Sequence, residues 1–101
     1  MAYHGEIPKL NKIRERVPEA AIYEQLAEES CELAQAALKK ARKLRDENYT
    51  PKSMTDIDAN LQEEVTDVDL CLDVLNLSGS SELRAKKLDR WIARNIKDND
   101  E

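Results

Sequence analysis

The chain has 101 residues, 37% of them charged, 41% hydrophobic and only 4% aromatic, with a formal net charge of −5 at pH 7. That length suits one domain spanning residues 1–101, and the surplus of carboxylates argues against sequence-independent binding of nucleic acid, which requires a basic surface. No apolar run approaches the roughly 18 residues of a membrane span, and residues 1–6 lack the basic and apolar regions of a secretory signal, so a cytoplasmic protein with reduced thiols at Cys31 and Cys71 is expected.

Abundant Ala, Leu, Glu, Lys and Arg, with only two Gly and three Pro, predict an all-α fold. Residues 1–5 are expected to form a loose arm. Residues 6–16 read as a short helix, with Ile7, Leu10 and Ile13 three apart and Val17 four later. Pro18 suits the first turn of the next helix, and the pattern carries that helix over residues 19–46 without an internal Gly or Pro. With Ile22 at zero on a wheel of about 100° per residue, Leu26, Leu33, Ala37 and Leu44 fall between roughly 20° and roughly 60°, and Ala36 at about 320°. Ala27, Cys31, Ala34 and Leu38 widen the apolar arc to about 180°, which implies more than one neighbour. Glu29 falls inside the stripe, at about 340°, and Glu32 at its edge, at about 280°.

Residues 47–52 are a loop by composition. Ser53-x-x-Asp56 and Thr55-x-x-Asp58 both offer a capping start for a third helix running to Leu75 or Leu77. With Ile57 at zero, Leu61, Val68, Leu72 and Leu75 lie between about 0° and about 60°, and Cys71 at about 320°. Glu64 lands at about 340° and Asp67 at about 280°, so both helices carry a Glu-x-x-acid pair at the same angle to the core stripe. Residues 76–81, with Gly79, form a turn. The last helix covers residues 82–96, with Ser80 or Ser81 as N-cap, and residues 98–101 are a frayed acidic tail. Leu88, Ile92, Ile96, Ala85 and Trp91 make its apolar side. Lys87, Arg90 and Arg94 group between roughly 200° and roughly 260° from Leu88, beside Trp91. That geometry fits a solvated cationic face as well as a phosphate clamp.

Carboxylates three apart on a helix share one side. An unpaired carboxylate in an apolar face is costly, so such groups are paired with cations or bound to metal. Two pairs in matching positions on facing helices would form a four-carboxylate pocket suited to a hard divalent cation. Lysine-paired, solvated carboxylates are the plainer alternative, and the matched placement weighs against it.

These motifs resemble the MazG-like, all-α nucleoside triphosphate pyrophosphohydrolases, particularly the short phage and bacterial members. The family pattern of Glu-Glu-x-x-Glu followed by Glu-x-x-Asp stands here as Glu28-Glu29-Ser30-Cys31-Glu32 and Glu64-Val65-Thr66-Asp67. Residues 25–38 resemble the family's first helix, Asn60-Leu61-x-Glu63-Glu64 its second, and Lys87-x-x-Arg90-Trp91 its closing helix. The spacer between the acid motifs is somewhat long, and Asp69 stands where members usually carry an apolar residue, on the side away from the acid pair.

The resemblance implies a bundle of two long antiparallel helices plus a C-terminal helix, assembled as an oligomer. It implies hydrolysis of a nucleoside triphosphate to the monophosphate and pyrophosphate with Mg²⁺, for which Mn²⁺ can substitute. Glu29, Glu32, Glu64 and Asp67 would hold metal, and Glu28 would orient or deprotonate the attacking water. Lys87, Arg90 and Arg94 would contact phosphates, and Asn60 and Trp91 would meet sugar or base. Trp91, Tyr23 and Tyr49 are the available stacking surfaces, although the first two are expected in the core. The second apolar arc, together with relatives that are typically dimers or tetramers, points to a homotetramer, with a dimer next. A di-iron carboxylate bundle needs Glu-x-x-His pairs, and the only histidine, His4, lies in the expected arm. A non-enzymatic helical oligomeric interaction module is the rival reading. A related activity on dUTP or a phosphoribosyl pyrophosphate also fits the pattern.

Overall fold

A computed structural model describes residues 4–46 and 52–96. The expected acidic tail, Tyr49 and most of its loop, and the first three residues of the expected arm lie outside the described residues. A 3-10 turn, His4–Glu6, leads into α1, Ile7–Arg16, whose first turn accommodates Pro8. The chain leaves α1 through extended Val17, the backbone preferred before a proline. α2 then runs Glu19–Arg45 and ends at Asp46 in the left-handed conformation (φ 55°), with Arg42, Lys43 and Arg45 in its last turn complementing the helix dipole.

α3, Met54–Val74, is capped by Ser53, whose Oγ accepts the Asp56 backbone N–H at 3.2 Å. At its far end Asn76, not Gly79, takes the left-handed turn (φ 55°). The Leu77 N–H there reaches the Leu72 carbonyl at 2.9 Å, and the Asn76 N–H the Asp73 carbonyl at 3.1 Å. α4, Ser81–Asn95, is capped by Ser80, whose Oγ accepts the Leu83 N–H at 3.2 Å. No helix among the described residues is long and apolar enough to cross a membrane.

α2 packs along α3, and α1 packs on α3. The cross-contacts run in opposite senses along the two long helices: Lys40 of α2 pairs with Asp58 early in α3, while Glu29 meets Asp67 late in α3. Arg14 ties α1 to the end of α3. Its Nε donates to the Val74 carbonyl at 2.8 Å and its Nη2 to the Asp73 carbonyl at 2.7 Å and Asn76 Oδ1 at 3.2 Å. The buried apolar side chains are Leu10, Ala36, Ile57, Cys71 and Val74. Ile22, Leu26, Leu33, Leu61, Val68 and Leu72 are half-buried around them.

The core is narrower than the apolar pattern implies. Leu44 and Ala37, expected in the α2 stripe, are exposed, as is the whole second arc of Ala27, Cys31, Ala34 and Leu38. Tyr23 is 46% exposed and Trp91 62% exposed, so neither is the core residue expected. The reason is architectural: one neighbouring helix covers only one side of α2, and α4 is exposed along its entire length.

Candidate metal centre

The acid cluster is built where α2 and α3 face each other. Glu29 enters the interface because it sits on the same helix face as Ile22, Leu26 and Leu33. Glu64 does so because it shares a face with Ile57, Leu61 and Val68. One carboxylate oxygen each from Glu29, Glu64 and Asp67 lies within 4.8 Å of the others, and all three residues are half-buried. The Oε2 atoms of Glu29 and Glu64 are shielded from solvent and have no hydrogen-bond partner. The other Glu29 oxygen, Oε1, accepts a 2.7 Å bond from Gln25 Nε2, one turn earlier on α2.

Loss of solvation is the main cause holding the Glu29 carboxyl above its ordinary value, with the nearby charges of Asp67 and Glu32 adding to it and the Gln25 bond opposing it. Glu64 is raised as well, first by loss of solvation, then by a hydrogen bond to the Glu32 carboxyl and by the charges of Glu32, Asp67 and Glu29. Three of the four carboxylates singled out in the sequence thus meet at one point, and the fourth, Glu32, lies exposed at its edge, where its charge still acts on Glu29 and Glu64. Two unpartnered, water-shielded oxygens beside other carboxylates are an unfavourable arrangement for a metal-free protein. They are a suitable one for a hard cation, whose oxygen ligands sit at most about 5 Å apart across bonds of roughly 2.0–2.6 Å.

The remaining expected site residues divide. Glu28 is exposed on α2 next to Glu29, and Asn60 is half-buried on α3 one turn before Glu64. Lys87, Arg90, Trp91 and Arg94 are all exposed on α4, which shares no packed face with α2 or α3, so the single chain does not set them against the carboxylates. A groove along α4 is lined by Leu83, Arg84, Lys87, Leu88 and Trp91.

Two neighbours of the cluster were not singled out as site residues. Gln25 fixes Glu29, a relation visible in retrospect as an i,i+4 Gln–Glu pair. Cys71 lies close enough for the Glu29 and Asp67 charges, after burial, to push its thiol up, and its signal was its place four residues after Asp67. Comparison with protein-family models, curated proteins and solved structures returned no match to this chain.

Proposed function

We propose that the protein is a cytoplasmic Mg²⁺-dependent nucleotide pyrophosphohydrolase of the MazG-like type. It converts a nucleoside or deoxynucleoside triphosphate to the monophosphate and pyrophosphate, in keeping with removal of non-standard nucleotides. The observation that carries this reading is the meeting of Glu29, Glu64 and Asp67 at one point between α2 and α3, with two carboxylate oxygens lacking any partner.

Glu29, Glu64 and Asp67 would hold the cation, with Glu32 at the edge of the cluster as the fourth carboxylate. Mg²⁺ bound there, or Mn²⁺ in its place, would supply neutralisation of triphosphate charge and a water of lowered pKa. Gln25 keeps Glu29 oriented through its 2.7 Å bond. Glu28, beside the pair and open to solvent, accepts the proton of the water that attacks the α-phosphorus, and pyrophosphate leaves. Lys87, Arg90 and Arg94 would neutralise phosphate oxygens, and Asn60 and Trp91 would contact sugar and base, with the α4 residues supplied by a neighbouring subunit of the expected homotetramer or dimer, because the single chain does not set them against the carboxylates.

The test is a screen of common NTPs and dNTPs plus dUTP with Mg²⁺, reading pyrophosphate and monophosphate. At least one substrate is expected to yield both. Glu29→Gln, Glu32→Gln, Glu64→Gln and Asp67→Asn should each lose most of that activity while remaining helical. Near-normal turnover in any two of the four would mean that the carboxylates do not form one site. No pyrophosphate from any substrate would leave the interaction-module reading.

A further inference from the structure

The two oxygens of the Glu29 carboxylate have different surroundings. Oε1 accepts a 2.7 Å bond from Gln25 Nε2, whereas Oε2 is shielded from solvent and has no partner. Gln25 and Glu29 stand four apart on α2, a spacing at which side chains on one helix face meet. Both ends of the bond are anchored in the same helix, so it restrains how the carboxylate can rotate. It leaves Oε2 as the oxygen open to a ligand, at the place where oxygens of Glu29, Glu64 and Asp67 gather within 4.8 Å of one another.

A carboxylate can give a cation one oxygen or both, and cations differ in which they take. Mg²⁺ requires near-octahedral geometry at about 2.0–2.1 Å and keeps several of its waters, so one oxygen per carboxylate suits it. Ca²⁺ takes roughly 6–8 oxygens at about 2.3–2.6 Å and commonly fills its larger shell with a carboxylate that gives both.

We propose that Gln25 is a positioning residue that sets the cation preference of the centre: by occupying Oε1 it holds Glu29 to one-oxygen ligation through Oε2, which suits Mg²⁺ or Mn²⁺ and disfavours Ca²⁺. The inference rests on the metal-centre reading and deepens it by naming what selects the cation. Two-oxygen ligation by Glu29 first requires breaking a hydrogen bond to a charged acceptor. One-oxygen ligation leaves that bond intact, so the cost of losing it falls on Ca²⁺ alone. Gln25 itself is exposed and acts only through Glu29, so replacing it changes selectivity without removing a ligand.

The test uses Gln25→Met, which keeps the length and neutrality of the side chain and has no donor. Gln25→Ala is the second variant, and Gln35→Met, at another exposed glutamine of α2, is the control. Far-UV circular dichroism checks that each remains helical. Affinities for Mg²⁺, Mn²⁺ and Ca²⁺, each added alone and without substrate, are read by titration calorimetry and by the shift in melting temperature. The ratio of Mg²⁺ to Ca²⁺ affinity should fall about tenfold in both Gln25 variants, about 1.4 kcal/mol, chiefly because Ca²⁺ binds more tightly. Gln35→Met should keep the wild-type ratio. A merely structural role for Gln25 would weaken all three cations together and leave the ratio alone; that result overturns the proposal and leaves the metal centre standing. Unchanged affinities in both Gln25 variants overturn it in the same way. If the wild-type protein binds none of the three cations saturably, the metal-centre reading falls and this proposal falls with it.

Discussion

Single carboxylates make the centre testable without any substrate. Glu29 and Glu64 are raised above the ordinary 4.5, so the folded chain keeps their protons to higher pH than the unfolded chain. Their contribution to stability is therefore full below about 4.5 and is lost as pH rises through the raised folded values. The metal-free protein should gain less stability from these two groups at pH 7 than at pH 5. On the proposed function, saturating Mg²⁺ should raise the melting temperature at pH 7, because a cation held by the folded arrangement would not bind the unfolded chain. Glu64→Gln should melt higher than wild type in metal-free buffer at pH 7 and show a much smaller Mg²⁺ response. Circular-dichroism melts with and without Mg²⁺ at both pH values check this; an unchanged Mg²⁺ response in the variant would remove Glu64 from the ligand set. The convergence was legible in advance because Glu29 and Glu64 occupy equivalent angles on their helices. The Gln25 bond and the nearness of Cys71 were not, because both depend on side-chain rotamers and on the register between the two helices.

Helices and their ends were read well from local chemistry, and the structure settles the ambiguities that local chemistry left. Ser53 and Thr55 were both eligible to start α3, and Ser53 makes the cap. Ser53→Ala should therefore cost about 1 kcal/mol in urea unfolding, while Thr55→Ala, outside the cap, should stay within roughly 0.5 kcal/mol. Equal costs would mean that the helix start is shared. The junction of α1 and α3 was invisible in the sequence, because nothing in the pattern of residues 6–16 indicates that Arg14 reaches residues 73–76. Its guanidinium supplies a donor to the Val74 carbonyl at a helix C-terminus and a further donor to the Asp73 carbonyl, which the Asn76 N–H also reaches. Arg14→Ala should destabilise by about 1–2 kcal/mol through loss of these part-buried, charge-assisted bonds. Arg14→Lys should recover only part of it, since an ammonium lacks the fork that spans two carbonyls. Full recovery by lysine would show that charge near the helix terminus, and not the bidentate geometry, holds α1 in place.

At the scale of the molecule, the all-α class was readable because helical periodicity is local, but the fate of α4 was not. Its apolar pattern says that Leu88, Trp91 and Ile92 need cover and does not say from which chain. The same limit explains Tyr23 and Leu44, apolar by pattern and exposed in the single chain. A chain with five buried apolar side chains among its described residues has little core of its own, and the stability of such chains commonly comes from association. If assembly supplies that stability, folding and association are one equilibrium, and the midpoint must rise with protein concentration. A hundredfold increase adds about 2.7 kcal/mol to a dimer by mass action. For a unit of two such chains that corresponds to roughly 5–10 °C. Melts across that concentration range should show this slope in wild type and lose most of it in Leu88→Asp, which would place a charge on the exposed apolar side of α4. A midpoint independent of concentration in wild type would show that α1, α2 and α3 stand on their own small core.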